Sequence, residues 1–127
     1  MINQPHTVAV DFDGTIYAGP WTHADEIIGK PNHGAIEWLI SEVNRGHRLI
    51  IHTCRLTASY KGCPFPESNH RDTAVVVACI RQWLLSQGMS SLEVESLEFW
   101  TRPGKPWAHE YLDDRAVRFE GTFPQRG

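Results

Sequence analysis

The chain has no apolar run approaching the ~20 residues of a membrane span. Its opening, "MINQPHT", lacks the basic and apolar regions of a secretory leader. A cytoplasmic protein with no membrane partner is the expectation. Positive charge is not in excess either: Lys and Arg total 12 against 15 Asp and Glu, for a net charge of −3. That balance gives no bulk attraction to nucleic acid or anionic lipid and leaves room only for a local basic patch. Cysteine is scarce. Cys54, Cys63 and Cys79 form no CxxC pair, and an odd count argues against a disulfide framework. Zinc held by Cys54, Cys63 and either His52 or His70 would match no standard zinc spacing; Cys79, on a predicted helix, reads as a small core residue. Internal repeats, low-complexity tracts and linkers are missing as well. One domain spanning 1–127 is the reading.

What is there is ordinary in bulk and unusual in arrangement. Hydrophobic residues make up 41% of the 127 and charged residues 21%, enough for a chain of this size to bury roughly two thirds of its unfolded surface. Residues 7–12 read as a buried strand, and "YAGPWTHADEIIGKPNHG" after it is too rich in Gly, Pro and His for a long helix. In "GAIEWLISEVNRG", Ile36, Leu39, Ile40 and Val43 fall at helical spacing and Gly46 stops the helix. "HRLIIHT" is a second strand, and 54–72 is a long loop of the kind that tends to be functional. Asp72 is placed to cap a helix whose Val76, Ile80 and Leu84 stripe faces a sheet and which ends at Gly88. "SLEFWT" and "AHEYLDD" supply a third and a short fourth strand. Strands alternating with helices predict an α/β, Rossmann-like three-layer domain built on a parallel sheet.

In such a sheet, ligands gather at the carboxyl ends of the strands. The polar oddities of this chain fall there together. Asp11 and Asp13 end the first strand, Thr53 the second, Asp113 and Asp114 the fourth, and Lys105 lies in the loop just before the fourth. Each has a bland reading. Asp-Gly is a good turn dipeptide, Thr53 could simply end a strand, and Lys105 could pair with Asp113 as structural glue. The two acidic pairs are the hardest to explain away, because clustered carboxylates repel one another unless a cation joins them.

Those fragments, in that order, resemble the haloacid dehalogenase (HAD) superfamily of phosphotransferases. "DFDGT" at 11–15 is similar to its first motif, DxDx[TV]; "LIIHT" at 49–53 to its second; Lys105 to its third; "YLDD" at 111–114 to its acidic fourth. The resemblance implies a Mg²⁺-dependent phosphomonoesterase. Asp11 would attack phosphorus and form an aspartyl-phosphate, and Asp13 would carry the proton to the leaving group and from the water. Mg²⁺, a hard cation that prefers oxygen, would be held by the Asp11 carboxylate, the Asp13 backbone carbonyl and Asp114, with Asp113 acting through water. Thr53 and Lys105 would contact the transferring phosphoryl group, and the N–H groups of Gly14 and Thr15 would face it.

Alternation in an extended segment puts Asp11 and Asp13 on one side and Phe12 in the core. Neither Thr15 to Gly34 nor 54–72 is long enough for a folded cap domain, so a capless member with an open site is implied, or one closed by a second copy of itself. Only "RPGKPWA" separates the third and fourth strands, where the family usually has a helix. "HTCR" and "LDDR" are also similar to the phosphatase domain of phage-type polynucleotide kinases. On that likeness Arg55 would bind the substrate phosphate, and a nucleotide or nucleic-acid end becomes a candidate substrate. Arg71, Arg102, Trp21, Trp100 and Trp107 would then be available for phosphate and base contacts, whereas Trp38 and Trp83 read as core. A non-catalytic module on the same fold, or transfer to an acceptor other than water, are the alternatives.

Overall fold

The computed structural model describes residues 5–57 and 72–125. Cys63, His70 and Arg71, and with them most of the 54–72 loop, lie outside the described residues. Four strands, β1 (Thr7–Asp11), β2 (Arg48–His52), β3 (Glu98–Phe99) and β4 (Glu110–Leu112), form one parallel sheet in the order β3-β2-β1-β4. Helices α1 (Ala35–Asn44), α2 (Cys54–Thr57), α3 (Thr73–Ser86) and α4 (Ser91–Glu95) complete the elements. The α/β, Rossmann-like reading of the sequence is therefore the observed fold.

Strand register sorts the side chains. Val8 pairs with Leu49 and Val10 with Ile51, so these four share one face of the sheet. They meet Leu39 of α1, Val76, Ile80 and Leu84 of α3, and Val94 of α4 in one buried cluster. Phe12 continues that face and is fully buried, where it stacks on Tyr17 at 5.2 Å and meets the Trp83 edge at 5.6 Å. Such aromatic pairs contribute about 0.5–1.5 kcal/mol each beyond the area they bury.

All the long helices lie on this face for a topological reason. The chain moves from β1 to β2 to β3 in one direction, and right-handed crossovers put both connections on the same side. The step from β3 back across to β4 reverses direction and must run on the other face. There the chain runs without a helix from Trp100 to His109. Tyr111 holds it: its hydroxyl donates to Pro106 O at 2.6 Å and accepts from Ala108 N at 3.1 Å. Pro106 and Ala108 are buried, as are Ala9 and Ile50 on the strands.

Three local features refine the sequence reading. α3 is capped as expected, with Asp72 Oδ1 accepting from Ala74 N at 2.9 Å. α4 was not expected, although Ser90 and Glu93 form a reciprocal capping box there. The irregular segment after β1 is pinned instead by Tyr17, whose hydroxyl accepts from Ile28 N and Gly29 N at 3.1 and 2.8 Å. No helix among the described residues is long and apolar enough to cross a membrane.

Candidate functional site

Because β2 extends the sheet to one side of β1 and β4 to the other, the strand order reverses between β1 and β4. That is the switch point where open α/β sheets leave a crevice at their carboxyl ends. Val10 pairs with Leu112, so the next residues along, Asp11 and Asp113, emerge side by side. Asp11, Asp113 and Asp114 each present a carboxylate oxygen within 4.8 Å of the others.

Physical chemistry makes this cluster uncomfortable on its own. Asp11 is pushed up from 3.8 to about 7, first by burial, then by the negative charges of Asp113, Asp114 and Asp13. In the absence of a cation, Asp11 therefore holds its proton well above the usual carboxylate range. Among the described residues the grouped donors are three carboxylate oxygens, a set that suits a hard cation preferring oxygen, so these residues fit the Mg²⁺ that the sequence resemblance implies.

The turn after β1 sets the position of the fourth-strand acids. Gly14 has φ +86°, and a Cβ there would come within 2.4 Å of Asp114 Oδ2. Thr15 Oγ1 accepts from Asp114 N at 3.1 Å. The Gly14 and Thr15 N–H groups do not face a phosphate site as expected: they donate to Tyr17 O at 2.9 Å and Phe12 O at 3.3 Å, closing the turn on itself. Asn32 Nδ2, which nothing in the sequence singled out, donates to both carbonyls of this turn at 2.9 Å. Gly14→Ala should therefore strain the backbone and push the Asp114 carboxylate away. Roughly 10- to 100-fold weaker Mg²⁺ binding is expected, as for loss of other groups that orient a ligand; unchanged affinity by calorimetry would contradict this role.

Asp13 stands apart from the triad. Its Oδ2 accepts from Thr53 Oγ1 at 3.0 Å, and Arg55 Nε lies 3.0 Å from each of its oxygens, with Nη2 at 2.8 Å from Oδ1. The Thr53 hydroxyl proton is thus directed at Asp13 rather than at the cavity, while its oxygen accepts from Arg55 N at 3.2 Å. Arg55 itself departs most from expectation. Its side chain is 0% exposed, and Nη1 donates to the carbonyls of His23, Ala24 and Glu26 at 2.9, 3.2 and 3.4 Å. A guanidinium so enclosed is not a surface donor for a substrate phosphate.

Two adjoining cavities open on these residues. One, of about 490 Å³, is lined by Asp11, Asp13, Thr53, Asp113 and Asp114. The other, of about 300 Å³, adds His52, Trp100, Lys105 and Pro106 to Asp11 and Asp113. Lys105 lines this second cavity, with its Nζ 3.9 Å from the centre of the Tyr111 ring. His52 also borders this cavity, where burial, reinforced by Lys105 and opposed by Asp113, lowers its pKa. Its Nε2 has no hydrogen-bond partner among the described residues. Cys54 lines both cavities. Of the aromatics, Trp100 borders the second cavity and Trp21 lies over Arg55 at 4.1 Å. Trp107 is exposed at the other end of the sheet, against His109. Arg102 stacks on Trp100 at 6.0 Å.

Fold and site together define an α/β domain with a parallel sheet and a three-carboxylate cluster at its switch point. No family model and no curated protein matches the chain. The solved structure of a conserved protein from Bacteroides thetaiotaomicron is similar to it, with 24% identity over 96% of this chain and 84% of that one and a TM-score of 0.55. That likeness concerns the fold.

Proposed function

We propose that the chain is a HAD-type, Mg²⁺-dependent phosphomonoesterase working through an aspartyl-phosphate on Asp11. One observation carries the reading: three carboxylates converge on a common point, while the fourth, Asp13, is held separately by Thr53 and Arg55. This division matches the two tasks of the reaction. Asp11 is the nucleophile, and its carboxylate oxygen forms the bond to phosphorus as the ester oxygen leaves. Asp13, which lines the same cavity, enters the cycle as the carboxylic acid, gives its proton to that oxygen and regains one from the water that cleaves the acyl-phosphate. Lys105, at the cavity wall, supplies positive charge toward the phosphoryl oxygens. Mg²⁺ would be held by the carboxylates of Asp11, Asp113 and Asp114, with the Asp13 backbone carbonyl as a further donor, and would supply the positive charge that keeps Asp11 ionised and offsets the acidic site's repulsion of a phosphate dianion.

Neither Thr15 to Gly34 nor 54–72 is long enough for a folded cap domain, which suits a bulky or exposed phosphoester. A nucleotide or nucleic-acid end remains one such substrate, but it loses the support of Arg55, which is turned inward. Turnover of an aryl phosphate by the purified protein with Mg²⁺ tests the proposal. Release of inorganic phosphate, with trapping of the phosphoryl group on Asp11, is the expected result. No turnover of any ester in a panel of nucleotides, sugar phosphates and 3′- or 5′-phosphorylated oligonucleotides would leave a binding module.

A further inference from the structure

Arg55 joins several parts of the chain at this end of the sheet through its polar contacts. One edge of its guanidinium, Nε and Nη2, faces the Asp13 carboxylate; the other, Nη1, faces three carbonyls of one loop, those of His23, Ala24 and Glu26. Its plane is flanked by aromatic rings, with Trp21 at 4.1 Å, Tyr17 at 5.3 Å and Phe12 at 5.7 Å from the guanidinium carbon. To touch a substrate phosphate it would have to leave all of these at once. We propose that Arg55 is a positioning residue: it clamps Asp13 in the orientation that proton transfer needs and uses the 23–26 loop as its fixed anchor. This rests on the phosphatase reading above and deepens it.

The geometry explains why an arginine is needed. A carboxylate has two oxygens to fix, and Thr53 fixes only Oδ2. A planar fork reaches both oxygens and still has a third nitrogen for the loop, which a lysine ammonium cannot do. Side chains left to rotate by even a fraction of an ångström lose much of the advantage of a placed acid or base.

A double-mutant cycle with Asp13 tests the clamp. In the wild-type background, Arg55→Lys is expected to lower kcat about 100-fold, the scale of losing a positioned proton carrier. In the Asp13→Asn background the same substitution should change kcat by less than about twofold, because a residue acting only through Asp13 has nothing left to act on. Inhibition by inorganic phosphate should be unaltered in Arg55→Lys, since the phosphate is not its partner. A merely structural role would lower kcat by the same factor in both backgrounds, and a direct phosphate contact would weaken phosphate inhibition; either result overturns the clamp. Trp21→Leu, on a half-buried loop position, removes one flanking ring and keeps the arginine. It should show the same dependence on Asp13 with a smaller loss, and it serves if Arg55→Lys unfolds, which circular dichroism and thermal melting would report. If wild type turns over no phosphoester at all, the phosphatase reading falls and the clamp with it; if wild type is active and the cycle is additive, only the clamp falls.

Discussion

Asp11→Asn is expected to abolish turnover and, in the absence of divalent cations, to make the protein more stable at pH 8. The first half follows from chemistry, since an amide cannot form the aspartyl-phosphate. The second follows from the cluster. Asp11 is pushed from 3.8 to about 7 by burial and by Asp113, Asp114 and Asp13. A raised carboxyl means that the folded state holds a proton the unfolded state has released. The stabilisation from that proton is complete below the unfolded value and is lost as pH rises through about 7. At pH 8 the native protein must therefore carry an ionised, half-buried Asp11 against its acidic neighbours. Asparagine keeps the shape and removes the charge, so its melting temperature should exceed that of wild type at pH 8, with the gap closing toward pH 5. A mutant that retains wild-type rates in a sample checked for deamidation would refute the covalent mechanism. Equal melting temperatures at pH 8 would show that the cluster is not strained.

How much of this was legible in the sequence varies with the range of the interaction. Strand β1 was readable from Val8-Ala9-Val10, and α1 and α3 from their apolar spacing, because those signals are local and periodic. The convergence of Asp11, Asp113 and Asp114 was readable too, since parallel strands of known polarity bring their carboxyl ends to one edge. Helix α4 has a local signal, Ser90 three residues before Glu93, but at five residues it carries no apolar periodicity to set it apart from the strand that follows. Arg55 was a different matter. Its place two residues after Thr53 puts it near the site, but whether it points outward or inward depends on the carbonyls of residues 23–26, some thirty positions away. No spacing rule reports on those. The same holds for the Gly14 and Thr15 N–H groups, whose capture by Tyr17 O and Phe12 O is decided by how tightly the turn closes.

Chelation with EDTA is expected to remove all phosphatase activity, and Mg²⁺ to restore it, with a thermal signature that activity alone would not give. Cation and proton compete for the same Asp11 carboxylate, so binding releases a proton wherever Asp11 still holds one. Below about 7 that proton must be displaced; above it the site is already ionised. Mg²⁺ should therefore bind more tightly at pH 8 than at pH 5, where Asp11 is protonated in the cation-free protein. At about a hundredfold excess over Kd, a ligand specific to the native state contributes roughly 2.7 kcal/mol, on the order of 10 °C in melting temperature for a domain this size. That gain should appear at pH 8 and shrink markedly at pH 5. It should also shrink in Asp114→Asn, which takes one carboxylate from the triad and leaves the Asp13 clamp in place. A Mg²⁺ shift that is the same at both pH values, or that survives the loss of Asp114, would place the cation somewhere other than the crevice between β1 and β4.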